Sequence, residues 1–194
     1  MPKVTPSDAI AGVWVVEPDV HGDERGRFVE TYRRSWFPDG REMVQANRAD
    51  RQAGAVVGLH YHLRQADYWY VPAGRARVVL HDLRAGGPTE GATVQLDLSG
   101  DRDLGVYIPP GVAHGFSAVG AKSTITASTP SRLVPDITPA KYSCPLAPGV
   151  SGAARERRDG ADADRLVSRN DAHLWQRAHD GEFARKRLHL RGER

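Results

Sequence analysis

Between residues 12 and 131 the chain holds no convincing helical period; short runs of β-branched and aromatic residues alternate with Gly and Pro turns. Residues 13–16 (Val-Trp-Val-Val) are closed by Pro18, and residues 27–32 alternate polar and apolar side chains as a half-buried strand does. Further strand-like runs cover residues 43–51, 55–61, 68–71 and 75–83, the last ended by Ala85-Gly86-Gly87-Pro88. Residues 93–98, 105–108, 114–119 and 123–128 complete the set. Many short strands at regular spacing predict an all-β sandwich or rolled-up barrel.

The texture changes after Pro148. Residues 149–164 are rich in Gly, Ala, Arg and Asp and read as a linker. Residues 171–187 place Leu174, Trp175, Ala178 and Phe183 among charges, which predicts one amphipathic helix. The expected organisation is a barrel domain over residues 1–148 and a linker with a helical tail over 149–194, packed on the barrel.

Composition narrows the function. No apolar stretch is long enough to span a bilayer, and the first eleven residues lack the pattern of a signal peptide. Cys144 is the single cysteine, so no intrachain disulfide forms, in keeping with a reducing cytoplasm. The net charge is only +3, and the basic excess in residues 151–194 is interleaved with Asp and Glu. Such a run is a solvated face rather than a nucleic-acid patch. A cytoplasmic protein with neither nucleic-acid nor membrane partners is expected.

The chemistry concentrates in Gly58-Leu59-His60-Tyr61-His62 and in Pro110-Gly111-Val112-Ala113-His114-Gly115-Phe116. Side chains two apart on a strand share a face, so His60 and His62 project together, and imidazoles need polar partners in an interior. Asp67 follows after a short loop. His60, His62, Asp67 and His114 together form a ligand set that suits a divalent metal, spaced much as in metal-binding cupins, which usually carry Glu where this chain has Asp67. The other reading is a polar pocket lined by histidines. In Tyr68-Trp69-Tyr70, Tyr68 is a candidate stacking surface for a base or sugar, and Trp69 is expected to be packing.

Over roughly residues 10 to 175 the chain resembles the dTDP-4-dehydrorhamnose 3,5-epimerase family, jelly-roll β-barrels of the cupin kind that use no metal. Arg25-Gly26-Arg27-Phe28-Val29-Glu30 matches that family's Arg-Gly-x-Phe-x-Glu, which implies nucleotide contacts from Arg25, Phe28 and Glu30. Gln45-Ala46-Asn47 matches its Gln-x-Asn, implying the same for Gln45 and Asn47. Gly-Leu-His-Tyr makes His60 the catalytic base, and the second run makes His114 a pocket donor. Ser168-Arg169-Asn170-Asp171 matches Ser-x-x-Asp, whose Asp orients the base; Asp171 is equally well placed to cap the last helix. The resemblance also implies a homodimer exchanging N-terminal strands, with residues 13–16 an exposed strand edge packed on the partner.

The departures are specific. Val57 stands where the family has Arg, His62 where it has Gln, and Asp67 where it has a lysine near the sugar ketone. The general-acid tyrosine falls near Ser131 and Arg132, leaving Tyr142, Tyr68 or Tyr70 as substitutes. The leading expectation is epimerisation or isomerisation of a nucleotide-linked 4-keto-6-deoxy sugar without a cofactor. The alternatives are a metal-dependent cupin isomerase, cyclase or oxygenase, and a non-catalytic ligand-binding paralogue. His60 cannot serve as both metal ligand and base.

Overall fold

β-Branched and aromatic residues stiff at the first side-chain torsion suit a pleated surface, and the runs rich in them pair as strands. The computed structural model describes residues 1–120 and 122–129, among which there are twelve strands. They are β1 (Lys3–Pro6), β2 (Trp14–Glu17), β3 (Val20–Asp23), β4 (Gly26–Val29), β5 (Gln45–Arg51) and β6 (Val56–His60). They continue as β7 (Asp67–Ala73), β8 (Arg75–Asp82), β9 (Thr93–Ser99), β10 (Gly105–Ile108), β11 (Val112–Ala118) and β12 (Ser123–Thr129). A single 3-10 turn, Arg34–Trp36, interrupts them. The predicted linker and helical tail, with Asp171, Tyr142 and Cys144, lie outside the described residues.

A six-stranded sheet in the order β1-β2-β10-β7-β12-β5 faces a four-stranded sheet in the order β6-β11-β8-β9, all pairs antiparallel. This is the jelly-roll barrel. Its core takes Val15, Trp69, Val71, Val106, Ile108 and Ile125 from the first sheet and Val78, Leu80, Val94, Val112 and Phe116 from the second. Burial of such side chains stabilises the fold by about 1.5–3 kcal/mol each.

The second face of the six-stranded sheet is also covered. Tyr32, Trp36, Phe37 and Met43 pack there on Val16, Tyr68 and Tyr107, with the Phe37 and Tyr107 rings 4.8 Å apart and nearly parallel. Strand β7 is therefore buried on both sides, Asp67, Trp69 and Val71 facing the barrel and Tyr68 and Tyr70 the aromatic layer. The turn from β7 to β8 requires Gly74: its φ is +77°, and a Cβ there would lie 2.5 Å from the Lys122 carbonyl oxygen.

Two expectations are corrected. Residues 27–32 are not a half-buried strand: β4 ends at Val29 and pairs only with β3 in a separate, exposed two-stranded ribbon. Alternation gives a strand an apolar face, but it cannot supply the sheet that would cover it. Arg27 ties the ribbon to the barrel, with Nη1 2.6 Å from Asp103 Oδ2 and Nη2 donating to the Gly100 carbonyl at 2.7 Å. Residues 13–16 are not an exposed edge, since β2 lies between β1 and β10, and Val13, Val15 and Val16 are buried in their own chain.

Candidate functional site

Three strand ends meet at one mouth of the barrel. β6 ends at His60, β7 begins at Asp67, and His114 is the third residue of β11. His60 and His114 are direct cross-strand partners, so both rings point to the same side. Immediately beyond them the register shifts between His114 and Phe116. Gly115 sits in that irregularity, where an added Cβ would come within 2.7 Å of the Val57 carbonyl oxygen. The absence of a side chain there lets β6 lie against β11.

His62 is beyond the end of β6, so strand alternation is not what places it. Its carbonyl accepts a hydrogen bond from the Gly111 N–H at 2.8 Å, which fastens the loop to the turn before β11. The three imidazoles cluster, with centroids 4.5 Å apart for His60–His114 and 5.5 Å for both His60–His62 and His62–His114. Trp69 from the opposite sheet forms the wall behind them, 5.0 Å from His114 and 6.3 Å from His60.

The nitrogens are committed in a definite way. His60 Nδ1 lies 3.1 Å from the Gly58 carbonyl oxygen, and His114 Nδ1 lies 2.9 Å from that of Val112. A carbonyl only accepts, so each Nδ1 carries the proton and donates it. In the neutral ring that leaves a lone pair on Nε2, aimed into the cluster. Burial first, and then the adjacent His114, push His60 down to about 3, so its ring is uncharged at neutral pH.

Asp67 is 4% exposed and lies at the bottom of the site. Its Oδ2 is 2.8 Å from His114 Nε2 and 3.6 Å from His62 Nε2, while Gln65 Nε2 donates to its Oδ1 at 2.8 Å. Burial raises its pKa, but His114 and His62 outweigh that, and the carboxyl is held well below the usual carboxylate range. Close as it is to Asp67, His114 Nε2 is buried without a hydrogen bond: the carboxylate oxygen is off the axis along which a ring N–H would point.

His60, His62, Asp67 and His114 each offer one ligand atom, and these atoms lie within 4.8 Å of one another. The expected ligand set is thus assembled. The other described residues singled out from sequence are not with it. Arg25 and Phe28 are on the exposed ribbon, where Arg25 pairs with Asp23 and Phe28 is 73% exposed. Glu30 pairs with Arg33 at 2.8 Å, and Gln45 donates to Asn47 at 3.0 Å on edge strand β5. Tyr68, expected as a stacking surface, is instead 2% exposed in the aromatic layer, because alternation turns it away from Asp67 and Trp69.

Sequence reasoning missed Gln65, which holds the free oxygen of Asp67, and the two backbone carbonyls that set the histidine tautomers. Gln65, two residues before a buried carboxylate, had a readable signal. Carbonyl acceptors leave no trace in residue identity.

Comparison with known proteins agrees with this architecture. The family model for dTDP-4-dehydrorhamnose 3,5-epimerase matches residues 7–135. SpsL, a spore coat polysaccharide biosynthesis protein of Bacillus subtilis, is 36% identical over 115 residues, covering 57% of this chain and 73% of that protein. The dTDP-4-dehydrorhamnose 3,5-epimerase of Pseudomonas aeruginosa is 40% identical over 114 residues, 56% of this chain and 63% of that one. Among solved structures, the Legionella pneumophila epimerase RmlC in complex with dTDP-4-keto-L-rhamnose has a TM-score of 0.65 at 30% identity, covering 70% of this chain and 75% of that chain. NovW of Streptomyces spheroides, a 4-keto-6-deoxy sugar epimerase, has a TM-score of 0.64 at 29% identity, covering 70% and 71%. The matched region runs through every strand that carries a site histidine and through more than half of the chain, which therefore belongs to the dTDP-4-dehydrorhamnose 3,5-epimerase family.

Proposed function

We propose that the protein is an isomerase that removes a proton beside the ketone of a nucleotide-linked 4-keto-6-deoxy sugar, with His60 as the base. The observation that carries this reading is the His60 ring: its Nδ1–H is held by the Gly58 carbonyl, which leaves the Nε2 lone pair as the base, and the ring sits against His62 and His114 with Trp69 behind. A carbon acid next to a carbonyl gives up its proton to such a base when the enolate oxygen is stabilised. Family membership, and relatives whose names specify dTDP-sugars, select the substrate class.

Asp171 is assigned to share with the Gly58 carbonyl the orienting of the His60 imidazolium, and Arg25, Phe28, Glu30, Gln45 and Asn47 to hold the nucleotide, with His114 inside the pocket. The exposed Arg25 and Phe28 fit a role completed by a second copy of the chain, in keeping with a homodimer, and the lone cysteine fits a cytoplasmic enzyme. The family's general-acid tyrosine has no counterpart at Ser131 or Arg132. Abstraction needs only the base and a stabilised enolate, whereas inversion also needs an acid on the opposite face.

The test is isotope exchange in heavy water with a dTDP-4-keto-6-deoxy sugar. Deuterium should enter C3 or C5 faster than inverted product accumulates. His60→Asn should abolish exchange, and Asp171→Asn should slow it by about a hundredfold or more, as when a base loses its orienting carboxylate. Exchange no faster than in buffer, across several such sugars, would leave a metal-dependent cupin enzyme or a non-catalytic ligand-binding protein as the better reading.

A further inference from the structure

We propose that His62, Asp67 and His114 hold a first-row divalent cation, placed to take the developing enolate oxygen while His60 remains free as the base. The assignment of the oxygen rests on the reaction proposed above; the cation site rests on geometry alone.

The key atom is His114 Nε2. The ring is 2% exposed, and its Nδ1–H is spent on the Val112 carbonyl. Nε2 then faces Asp67 Oδ2 at 2.8 Å in a buried site, without a hydrogen bond between them. A carboxylate oxygen and a ring nitrogen that close need a positive centre, either a proton on Nε2 or a cation that both atoms bind. A proton on Nε2 is one solution, but the oxygen is off the ring's N–H axis, and the nitrogen has no hydrogen bond. A cation bound by both atoms needs no such alignment.

The spacing is within a few tenths of an ångström of that around a shared ion. Bonds of about 2.1 Å put ligand atoms about 3–3.5 Å apart at octahedral to tetrahedral angles, and imidazoles sharing the ion put their centroids about 4.5–5.5 Å apart. Asp67 Oδ2 is 2.8 Å from His114 Nε2 and 3.6 Å from His62 Nε2, and the His62 and His114 centroids are 5.5 Å apart. His60 meets the same centroid spacing, 4.5 Å from His114 and 5.5 Å from His62, but it is His62 and His114 that are also in ion-pair contact with Asp67. The Gln65 amide on the other Asp67 oxygen supplies the outer hydrogen bond that orients a ligating carboxylate. Two imidazoles and one carboxylate leave positions open and suit zinc, iron(II) or nickel(II).

The chemistry also calls for a cation. A proton leaving carbon for His60 Nε2 puts negative charge on the ketone oxygen, in a pocket that also contains the Asp67 carboxylate. Unscreened, that carboxylate opposes the enolate. With a divalent ion on it, the same group anchors the charge that stabilises the oxygen.

The experiment uses tag-free full-length protein, stripped with chelator and titrated with zinc chloride by calorimetry and elemental analysis. One zinc per chain and a zinc-dependent rise in melting temperature are expected. His62→Gln, a change at a partly exposed rim position, should weaken zinc binding at least a hundredfold, and Asp67→Asn should do the same. His60→Asn should bind zinc within a few-fold of the parent chain yet catalyse no deuterium exchange. Stoichiometric zinc that vanishes in His62→Gln, even in a protein showing no exchange with any sugar, supports the site while removing the reaction reading. No stoichiometric zinc, or His62→Gln binding as well as the parent, overturns the site. Loss of zinc in His60→Asn equal to that in His62→Gln makes His60 a ligand and overturns the division of roles. Full exchange in stripped protein overturns the enolate assignment.

Discussion

The Gly58 and Val112 carbonyls decide more of this site than any single side chain does. Each consumes one histidine N–H and leaves the other nitrogen with its lone pair, on the half-buried ring of His60 and the buried ring of His114. Tyr68 shows the opposite case. It is a buried side chain whose hydroxyl, among the described residues, has no hydrogen-bond partner and lies against Gly105. An unmet buried hydroxyl costs about 1–3 kcal/mol. Tyr68→Phe should therefore be neutral or stabilising by about 1 kcal/mol in denaturant unfolding, with deuterium exchange unchanged, because the ring fills the aromatic layer and not the histidine pocket. A loss of exchange in a fully folded Tyr68→Phe would restore the expectation that Tyr68 binds substrate.

At the scale of elements, the site depends on how closely β6 lies on β11. The cross-strand pair His60–His114 sits beside a register shift, and Gly115 within it leaves no room for a Cβ against Val57 and Gly58 backbone atoms at 2.7–3.0 Å. Gly115→Ala must push β6 away, taking with it the carbonyl of Gly58 that orients His60. The expected outcome is a destabilisation of about 1–3 kcal/mol, together with at least a tenfold fall in exchange measured where the protein is still fully folded. Wild-type exchange in the folded variant would show that β6 can move without disturbing the base.

For the whole molecule, the N-terminal segment is latched to the β8–β9 hairpin by Asp82, which is 1% exposed. Arg84 Nε and Nη2 lie 2.8 and 2.7 Å from its oxygens, the Thr89 hydroxyl donates to it at 2.6 Å, and Arg84 also donates to the Ala11 carbonyl at 2.7 Å. Burial raises the Asp82 pKa, but Arg84 and Thr89 outweigh it, and the carboxyl falls to about 2. The folded value is below the unfolded one, so the latch contributes fully above about pH 4 and is lost as pH falls through about 2. Asp82→Asn should cost about 2 kcal/mol near neutral pH. Denaturation curves should show the gap from the parent chain closing with acidification across that window. A gap independent of pH would mean that the charge is not what the latch uses.

Strand content, turn positions and the histidine set were legible in residue order because they follow from local rules: alternation, Gly and Pro punctuation, and spacing within one hairpin. Nine of the ten predicted runs are strands of the two sheets; the tenth, residues 27–32, survives only in part, as β4 of the separate ribbon. The convergence of His60, His62, Asp67 and His114 was likewise readable, since a His-x-His pair, a nearby carboxylate and a later histidine have few ways to lie in a small barrel. What residue order could not decide was which surface covers which. The ribbon carrying Arg25 and Phe28 alternates correctly yet faces no sheet, residues 13–16 look like an edge yet lie between two strands, and Tyr68 differs from Trp69 only by falling on the other side of β7. Burial on one face or two is a property of neighbours distant in sequence. So is the 2.8 Å approach of His114 to Asp67, made by residues on facing sheets, and only the closed barrel brings that pair together.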